Sequence, residues 1–301
     1  MIENILLALG AIRANKMRSF LTMLGIIIGI GSVIGIVTVG NSLTNSFTDS
    51  MQQLGTNNIS VSVMQRIDSD FNMTSAMSSM PAEADMYSDE QIADIELRFA
   101  DDIDAIALSQ SVGNGKATEG RDYANAAVIG VNAGYQKAAN LTLTDGRFLS
   151  ERDIDGRKRV CVVSDRFVKN LFPRLTGSGV GQEILINMGN GTIDSYYIIG
   201  VYEYQETGFS FGFSSEKDLR TDVYVPLSIA MKTAQYQNYM SFMIITKPGT
   251  DNGVFSSGLR RYLNNTYYAE NDLWTAQVIS MESAMSIMGD VMGTISTAVA
   301  V

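Results

Sequence analysis

The side chains that ordinarily carry out chemistry are scarce in this sequence. Among its 301 residues there is no histidine, so the commonest general base and the commonest metal ligand are both missing. The single cysteine, Cys161, can form neither an internal disulfide nor a cysteine-rich zinc site. It stands in KRVCVVS, a short apolar run of strand character, where a buried structural thiol fits better than a reactive one. Gly113-Asn114-Gly115-Lys116-Ala117 approaches a phosphate-binding loop, but the first glycine is misplaced and neither Ser nor Thr follows the lysine. Asp101, Asp102 and Asp104 could hold a cation; between a helical pattern and a strand they read better as a solvated turn. No G-x-S-x-G elbow, CxxC, H-E-x-x-H or EF-hand loop occurs. Nothing therefore assembles a nucleophile, a base and an orienting group, and the chain is not expected to be an enzyme. No catalytic, cofactor-binding or metal residue is assigned. With 32 acidic against 22 basic residues, the net charge of −10 also argues against nucleic acid as a partner.

What the sequence does supply is material for a membrane. Residues 21–40, LTMLGIIIGIGSVIGIVTVG, are twenty positions without a charge. As a helix they span about 30 Å, the thickness of a bilayer's hydrocarbon core. Arg13, Lys16 and Arg18 precede the run and the first charge after it is Asp49, which predicts a cytoplasmic N-terminus and an extracytoplasmic remainder. A cleaved signal peptide is the competing reading. The apolar run is too long for one, the charged region before it is long, and no A-x-A-like site follows. Within the span, Gly25 and Gly29 form one small-xxx-small pair and Gly31 and Gly35 another, the spacing that lets helix backbones approach closely. Ahead of it, Ile2, Ile5, Leu6, Leu9 and Ile12 recur at helical spacing, which predicts an amphipathic helix on the cytoplasmic membrane surface. At the other end, VMGTISTAVAV at 291–301 is apolar and uncharged but reaches only about 16 Å as a helix. It reads either as a buried core helix or, preferably, as the opening of a second membrane helix in a longer multi-pass protein.

The stretch between alternates periods of 2 and 3.6, as mixed α/β domains do. NNISVSVMQ places Ile59, Val61 and Val63 on one face of a strand. Ser88 followed by Asp89, Glu90 and Gln91 is a capping box, with Ile92, Ile95, Leu97 and Phe99 as the apolar helix face, and IDAIALSQ at 103–110 is a strand. A second β-α-β unit runs from SFMIIT at 241–246 to LWTAQVIS at 273–280. Its helix opens at Pro248-Gly249 and has the face Val254, Phe255, Leu259, Tyr262 and Leu263. Two such units make a split, ferredoxin-like α/β sandwich. Between them AAVIGVN, RVCVVS, EILIN, YYIIGVY and DVYVP are strands, with a short helix from Asp165 to Phe172. The expected fold is a membrane-anchored α+β protein. Its parts are a surface helix at 1–18, a membrane helix at 19–41, a discontinuous α/β lobe at 42–118 and 227–280, an inserted β-rich lobe at 119–226, and a stalk with the start of a second membrane helix at 281–301. Residues 68–87 lack periodicity; they read as a solvated insertion ahead of a Met-lined binding loop. TGFSFGFSSEK at 207–217 places Phe209, Phe211 and Phe213 at a hairpin tip, either as a contact surface or folded back on their own sheet.

These residues together resemble the permeases of the MacB-type ABC exporters, in the MacB/FtsX-like family. The opening ENILLALGAIRANKMRSFLTMLGIIIGIGSVIGIVTVGNSL carries the likeness, followed in the family's order by NNISVSV and by TDGRFLSERD with Gly146, Arg147, Phe148 and Asp153. VCVVSDRFVKNLFP, VGQEILIN, YIIGVYE and VYVPLS complete it. The resemblance implies four membrane helices, with an extracytoplasmic domain between the first and second, in a bacterial plasma membrane. It implies a separate ABC-type ATPase subunit, a second permease copy or a paralogous permease, membrane lipid and a membrane-fusion adaptor protein as partners. Export of peptides, antibiotics such as macrolides, or lipoproteins would then be driven by ATP hydrolysis in the partner. The alternative is an anchored, FtsX-like sensor or interaction module that recruits or activates a partner without transport. Relative to the full pattern these 301 residues are expected to be the N-terminal piece of a longer permease, ending in the opening of the second membrane helix and starting directly at the amphipathic helix. The acidic surface is a weak pointer to cationic cargo or partners.

Overall fold

Alternation in NISVSVMQ builds the first strand. Ile59, Val61 and Val63 are buried while Ser60 and Met64 are exposed, as a strand with one face on a core requires. The computed structural model describes residues 16–53, 57–66, 80–189, 191–205 and 217–300. It divides into two units, 1–48 with 285–301 and 49–284.

In the first unit, helix α1, Lys16–Gln53, carries a segment, Lys16–Gly40, long and apolar enough to cross a membrane and with none of it buried. The helix does not stop at the expected membrane boundary near 41, because no glycine-proline punctuation follows Gly40 before Gln53. Of the expected surface helix at 1–18, residues 1–15 lie outside the described residues and Lys16, Met17 and Arg18 belong to α1. The last helix, α8, Met281–Ala300, begins directly after a strand.

The second unit contains two sheets. The four-stranded one joins β1 (Asn58–Gln65), β2 (Ile103–Ala107), β10 (Ser241–Thr246) and β11 (Trp274–Ser280) in the order β11-β1-β10-β2, every pair antiparallel. With helix α2 (Asp89–Arg98) after β1 and α7 (Asn252–Thr266) after β10, this is the split ferredoxin-like arrangement expected from the sequence. Ser88 caps α2 through a reciprocal box with Gln91, and Asp251 caps α7 by accepting from Gly253 N and Val254 N. The α7 start is thus set by Asp251 rather than by Pro248-Gly249. Ile92 and Ile95 of α2 and Phe255, Leu259 and Leu263 of α7 pack on Ile59, Val61, Phe242 and Ile244. Two residues expected on these faces point outward: Leu97 is 81% and Val254 70% exposed. Helix geometry explains both, since Leu97 stands two positions from Ile95 and Val254 is in the first turn of α7, where the chain is still turning onto the sheet.

The seven-stranded sheet has the order β5-β8-β6-β9-β4-β3-β7, and β7 (Glu183–Met188) pairs again with β8 (Ile193–Tyr202), so the pairing closes into a ring. Its other strands are β3 (Ser109–Glu119), β4 (Asp122–Val131), β5 (Leu143–Gly146), β6 (Val160–Ser164) and β9 (Arg220–Pro226). Four short helices connect them: α3 (Tyr135–Ala138), α4 (Glu151–Asp155), α5 (Asp165–Leu171) and α6 (Leu227–Ala230). The chain changes sheets at Leu108, ten residues before the boundary expected at 118; β3 pairs with β4 over nearly its whole length. Its polar sequence, SQSVGNGKATE, hid it, because only Ala117 on this strand is fully buried. Residues 80–87 also differ from a solvated insertion: Met86 and Tyr87 are buried, and Tyr87 stacks edge-on against Phe242 and Tyr268. Residues 67–79 of that stretch lie outside the described residues.

Removing side-chain volume from the smaller sheet's core should be costly and removing it from the outer face should not. Leu259→Ala, at a fully buried site, is expected to lower stability by about 2–5 kcal/mol. Val254→Ala should stay within about 0.5 kcal/mol of the parent. Urea unfolding of both variants checks the pair.

Candidate functional site

Three places in the described residues bring together side chains that sequence alone leaves scattered. The first is on α1. A Cβ added at Gly25, Gly29, Gly31 or Gly35 would meet nothing within 4 Å among the described residues, and Leu21, Ile28 and Ile36 are exposed. The two glycine ridges stand on different faces of α1, because the six residues from Gly25 to Gly31 turn the helix by about 600°.

The second is a charged clamp in GRFLSERD. Asp153 is completely buried, yet no fewer than three cationic hydrogen bonds reach it. Arg147 grips it with both terminal nitrogens, at 2.6 and 3.2 Å, and Lys158 Nζ donates at 3.0 Å. Ser150 adds its backbone N–H at 3.1 Å and its hydroxyl at 2.6 Å, which caps α4. Together, with Arg147 first, these donors hold the Asp153 carboxyl far below the usual carboxylate range against the opposing effect of burial. Gly146 lets the chain enter this clamp: its φ is +74°, and a Cβ there would run into the Ile199 carbonyl. The clamp ties β5, α4 and the approach to β6 together, so it is structural.

The third is a cleft of about 340 Å³ on the larger sheet, beside the ends of β8 and β9. Tyr135, Tyr202, Tyr204 and Tyr224 line it with Glu203, Asp222 and Arg220. The Tyr135 and Tyr202 rings each lie 5.4 Å from that of Tyr224. Tyr224 donates its hydroxyl to Asp222 Oδ2 at 3.3 Å, and Tyr202 donates to the Asp222 backbone oxygen at 3.0 Å. Burial pushes the Asp222 carboxyl above the ordinary value, the Tyr224 hydroxyl only partly offsetting it.

The remaining expectations are placed as follows. Cys161 is fully buried and burial pushes its thiol up, so it is inert. Lys116 of the glycine-lysine run sits on β3 over the Tyr123 ring at 3.6 Å. Asp104 pairs with Lys137 at 2.8 Å, and among the described residues no group of His, Cys, Asp and Glu could hold a metal ion. Phe209, Phe211 and Phe213 lie outside the described residues. Sequence reasoning missed the cleft. Its residues span 135–224, and their signal was only the tyrosine in each of YYIIGVYEY and DVYVP.

A family model described as the MacB-like periplasmic core domain matches residues 19–262. The chain belongs to that family. It is 31% identical over 247 residues to a macrolide export ATP-binding/permease protein, MacB 2, of Aeromonas hydrophila, covering 79% of this chain and 33% of that protein. It is 28% identical over 299 residues to the ABC transporter permease YknZ of Bacillus subtilis, covering 99% of this chain and 68% of the permease. The chain thus spans about a third of the length of the MacB proteins it matches. Two solved structures share the fold. The periplasmic region of MacB from Actinobacillus actinomycetemcomitans matches with a TM-score of 0.55 at 16% identity, over 80% of this chain and 96% of that one. The extracellular domain of the noncanonic ABC-type transporter YknZ from Gram-positive bacteria matches at 0.50 and 18%, over 73% and 100%. The mixed α+β architecture with one N-terminal apolar helix is therefore the family's, as is its character as an ABC-permease extracytoplasmic domain.

The clamp makes a prediction about acid. A carboxylate held low in the folded state contributes stability above its unfolded value, near pH 3.9, and loses it as pH falls. Asp153→Asn should cost on the order of 3 kcal/mol at neutral pH. Between about pH 4 and 2 the parent should lose stability more steeply than the variant, by up to about 1.4 kcal/mol per pH unit. Denaturant titrations at a series of pH values check both.

Proposed function

We propose that the chain forms the permease part of a MacB-like ABC exporter, anchored in a bacterial plasma membrane with its N-terminus cytoplasmic and its main domain outside. The observation that carries this reading is the family match, which runs without a break from the apolar segment of α1 into the extracytoplasmic domain. A partner ATPase hydrolyses ATP, and the work reaches the outer domain through the membrane helices. The small-xxx-small spacing of Gly25 with Gly29 and of Gly31 with Gly35 on α1 supports helix-to-helix packing as the route, either between two copies or with a further membrane helix. Arg18 and Lys16 at the start of α1, against a span free of charge to Gly40, support the orientation. Division at Leu108 into an α/β lobe and an inserted β lobe supports treating the outer domain as the moving part. The cargo class named for the MacB relatives, macrolides, is the first to test.

Full-length protein reconstituted in lipid with its cognate ATPase should hydrolyse ATP faster than the ATPase alone, and a macrolide or candidate peptide should change the rate. Association without any change in hydrolysis would favour the anchored, FtsX-like interaction module instead. Within the complex, Gly29→Leu and Gly35→Leu should each lower cargo-dependent ATPase stimulation several-fold while leaving the partner's basal rate intact. Normal coupling in both would sink the glycine pairs as the route.

A further inference from the structure

The cleft between Tyr135, Tyr202 and Tyr224 contains a carboxylate without a counter-ion. Asp222 is partly buried, its one hydrogen bond to a side chain is the long one from Tyr224, and no cation pairs with it among the described residues. Arg220, two positions earlier on β9, lines the cleft but makes no ion pair with Asp222 among the described residues. Lys217 is engaged with Asp122 at 3.0 Å, and residues 206–216 contain neither Lys nor Arg. A carboxylate in this position is costly: moving it from water costs several kcal/mol unless a cation or several hydrogen bonds compensate. Elsewhere in the same sheet the protein meets that cost in full, with Arg147 and Lys158 on Asp153. At Asp222 it does not. Thr221, which also borders the cleft, has a buried hydroxyl that finds no partner among the described residues.

The walls match the charge. Three tyrosine rings cluster here, Tyr135 and Tyr202 each with centroids 5.4 Å from Tyr224, and aromatic rings are favourable neighbours for cations rather than anions. Glu203 adds a second carboxylate at the rim, so two acids stand against the single guanidinium of Arg220. The volume, about 340 Å³, suits a group of a few heavy atoms rather than a folded partner. We propose that this cleft binds the protonated alkylamine group of a ligand, with Asp222 taking the ammonium hydrogen bond and Tyr135, Tyr202 and Tyr224 enclosing its carbon chain. A neutral alcohol of the same length gains only the apolar part of that interaction, and a carboxylate ligand is repelled. Arg220, a like charge lining the same cleft, repels a cationic ligand and so lowers its affinity.

The site is tested by ligand-observed saturation-transfer NMR on the full chain in phosphatidylcholine nanodiscs, with empty nanodiscs as control and no nucleotide present. The result therefore stands apart from any coupling to an ATPase. The probes are n-butylammonium and its neutral counterpart 1-butanol. The ammonium probe is expected to bind at least tenfold more tightly. Asp222→Asn should remove that tenfold advantage while leaving 1-butanol unchanged, and Arg220→Gln should strengthen ammonium binding a few-fold. Equal binding of the two probes by the unaltered chain, or none of either, overturns the proposal whether or not the Asp222 variant folds. An ammonium preference that survives Asp222→Asn in a folded variant overturns it as well.

Discussion

Everything outside the membrane segment hangs on the pairing of β1 with β11 and β10. Ile59 faces Ser280 and Gln65 faces Trp274, residues at opposite ends of the domain's sequence, so the chain enters and leaves the smaller sheet at adjacent positions. Arg66 fastens the far end, donating from Nε to Asn271 O and from its terminal nitrogen to Tyr268 O, both at 2.8 Å. With these strands together, β10 offers its free edge to β2, and the segment between β2 and β10 can be of almost any length. Closure entropy grows only by about 0.6 kcal/mol for each doubling of a loop. A whole β lobe can therefore be inserted there at small thermodynamic cost, provided it does not disturb the four-stranded core.

The inserted lobe is nevertheless clasped rather than hung on a linker. Asn132, just after β4, donates its amide to Ile106 O at 2.7 Å and accepts from Leu108 N at 3.0 Å, locking the corner where the chain changes sheets. Asn58 donates to Ala138 O at 2.5 Å, Lys137 pairs with Asp104, and Ala138 packs with Ala107 and Ile245. Small residues at these positions let α3 lie close to β2 and β10. The polar groups that meet there are mutually satisfied, which fixes geometry without a large apolar interface.

Legibility in the sequence followed the physics of each element. Strands with one buried face announced themselves, because Ile59, Val61 and Val63 or Ile184, Ile186 and Met188 must alternate to reach their cores. Helix existence was legible from caps, but facing was not: Leu97 and Val254 are as apolar as Ile95 and Leu259, and only the docking angle separates them. β3 was illegible because it is held by backbone pairing on both sides while most of its side chains stay outside the core. The glycine spacing on α1 is visible as i, i+4 pairs, while what those pairs pack against is a proposal. The tyrosine cleft was not visible, since Tyr135, Tyr202 and Tyr224 come from α3, β8 and β9, which are distant in the chain, and β8 and β9 are brought together only by their pairing on either side of β6.

The two acids of the larger sheet, Asp153 fully and Asp222 partly buried, are held in opposite ways. Asp153 is satisfied by Arg147 and Ser150 of its own run, GRFLSERD, and by Lys158 just beyond it, so removing the carboxylate or Arg147 leaves a strong donor or a buried charge without its partner. Asp222 is held by the same sheet but with one hydrogen bond to its carboxylate, the long one from Tyr224, among the described residues. An incompletely satisfied charge inside an aromatic cleft adds little to stability and costs some of it. The surrounding sheet, with fully buried Val223 and Val225 on either side of Tyr224, is strong enough to tolerate that cost. Part of the cost of desolvating Asp222 is already met in the folded sheet, and that part would not have to come out of the binding energy of the proposed ligand. The proposed selectivity therefore rests on few residues, Asp222 as the acceptor with Tyr135, Tyr202 and Tyr224 around it.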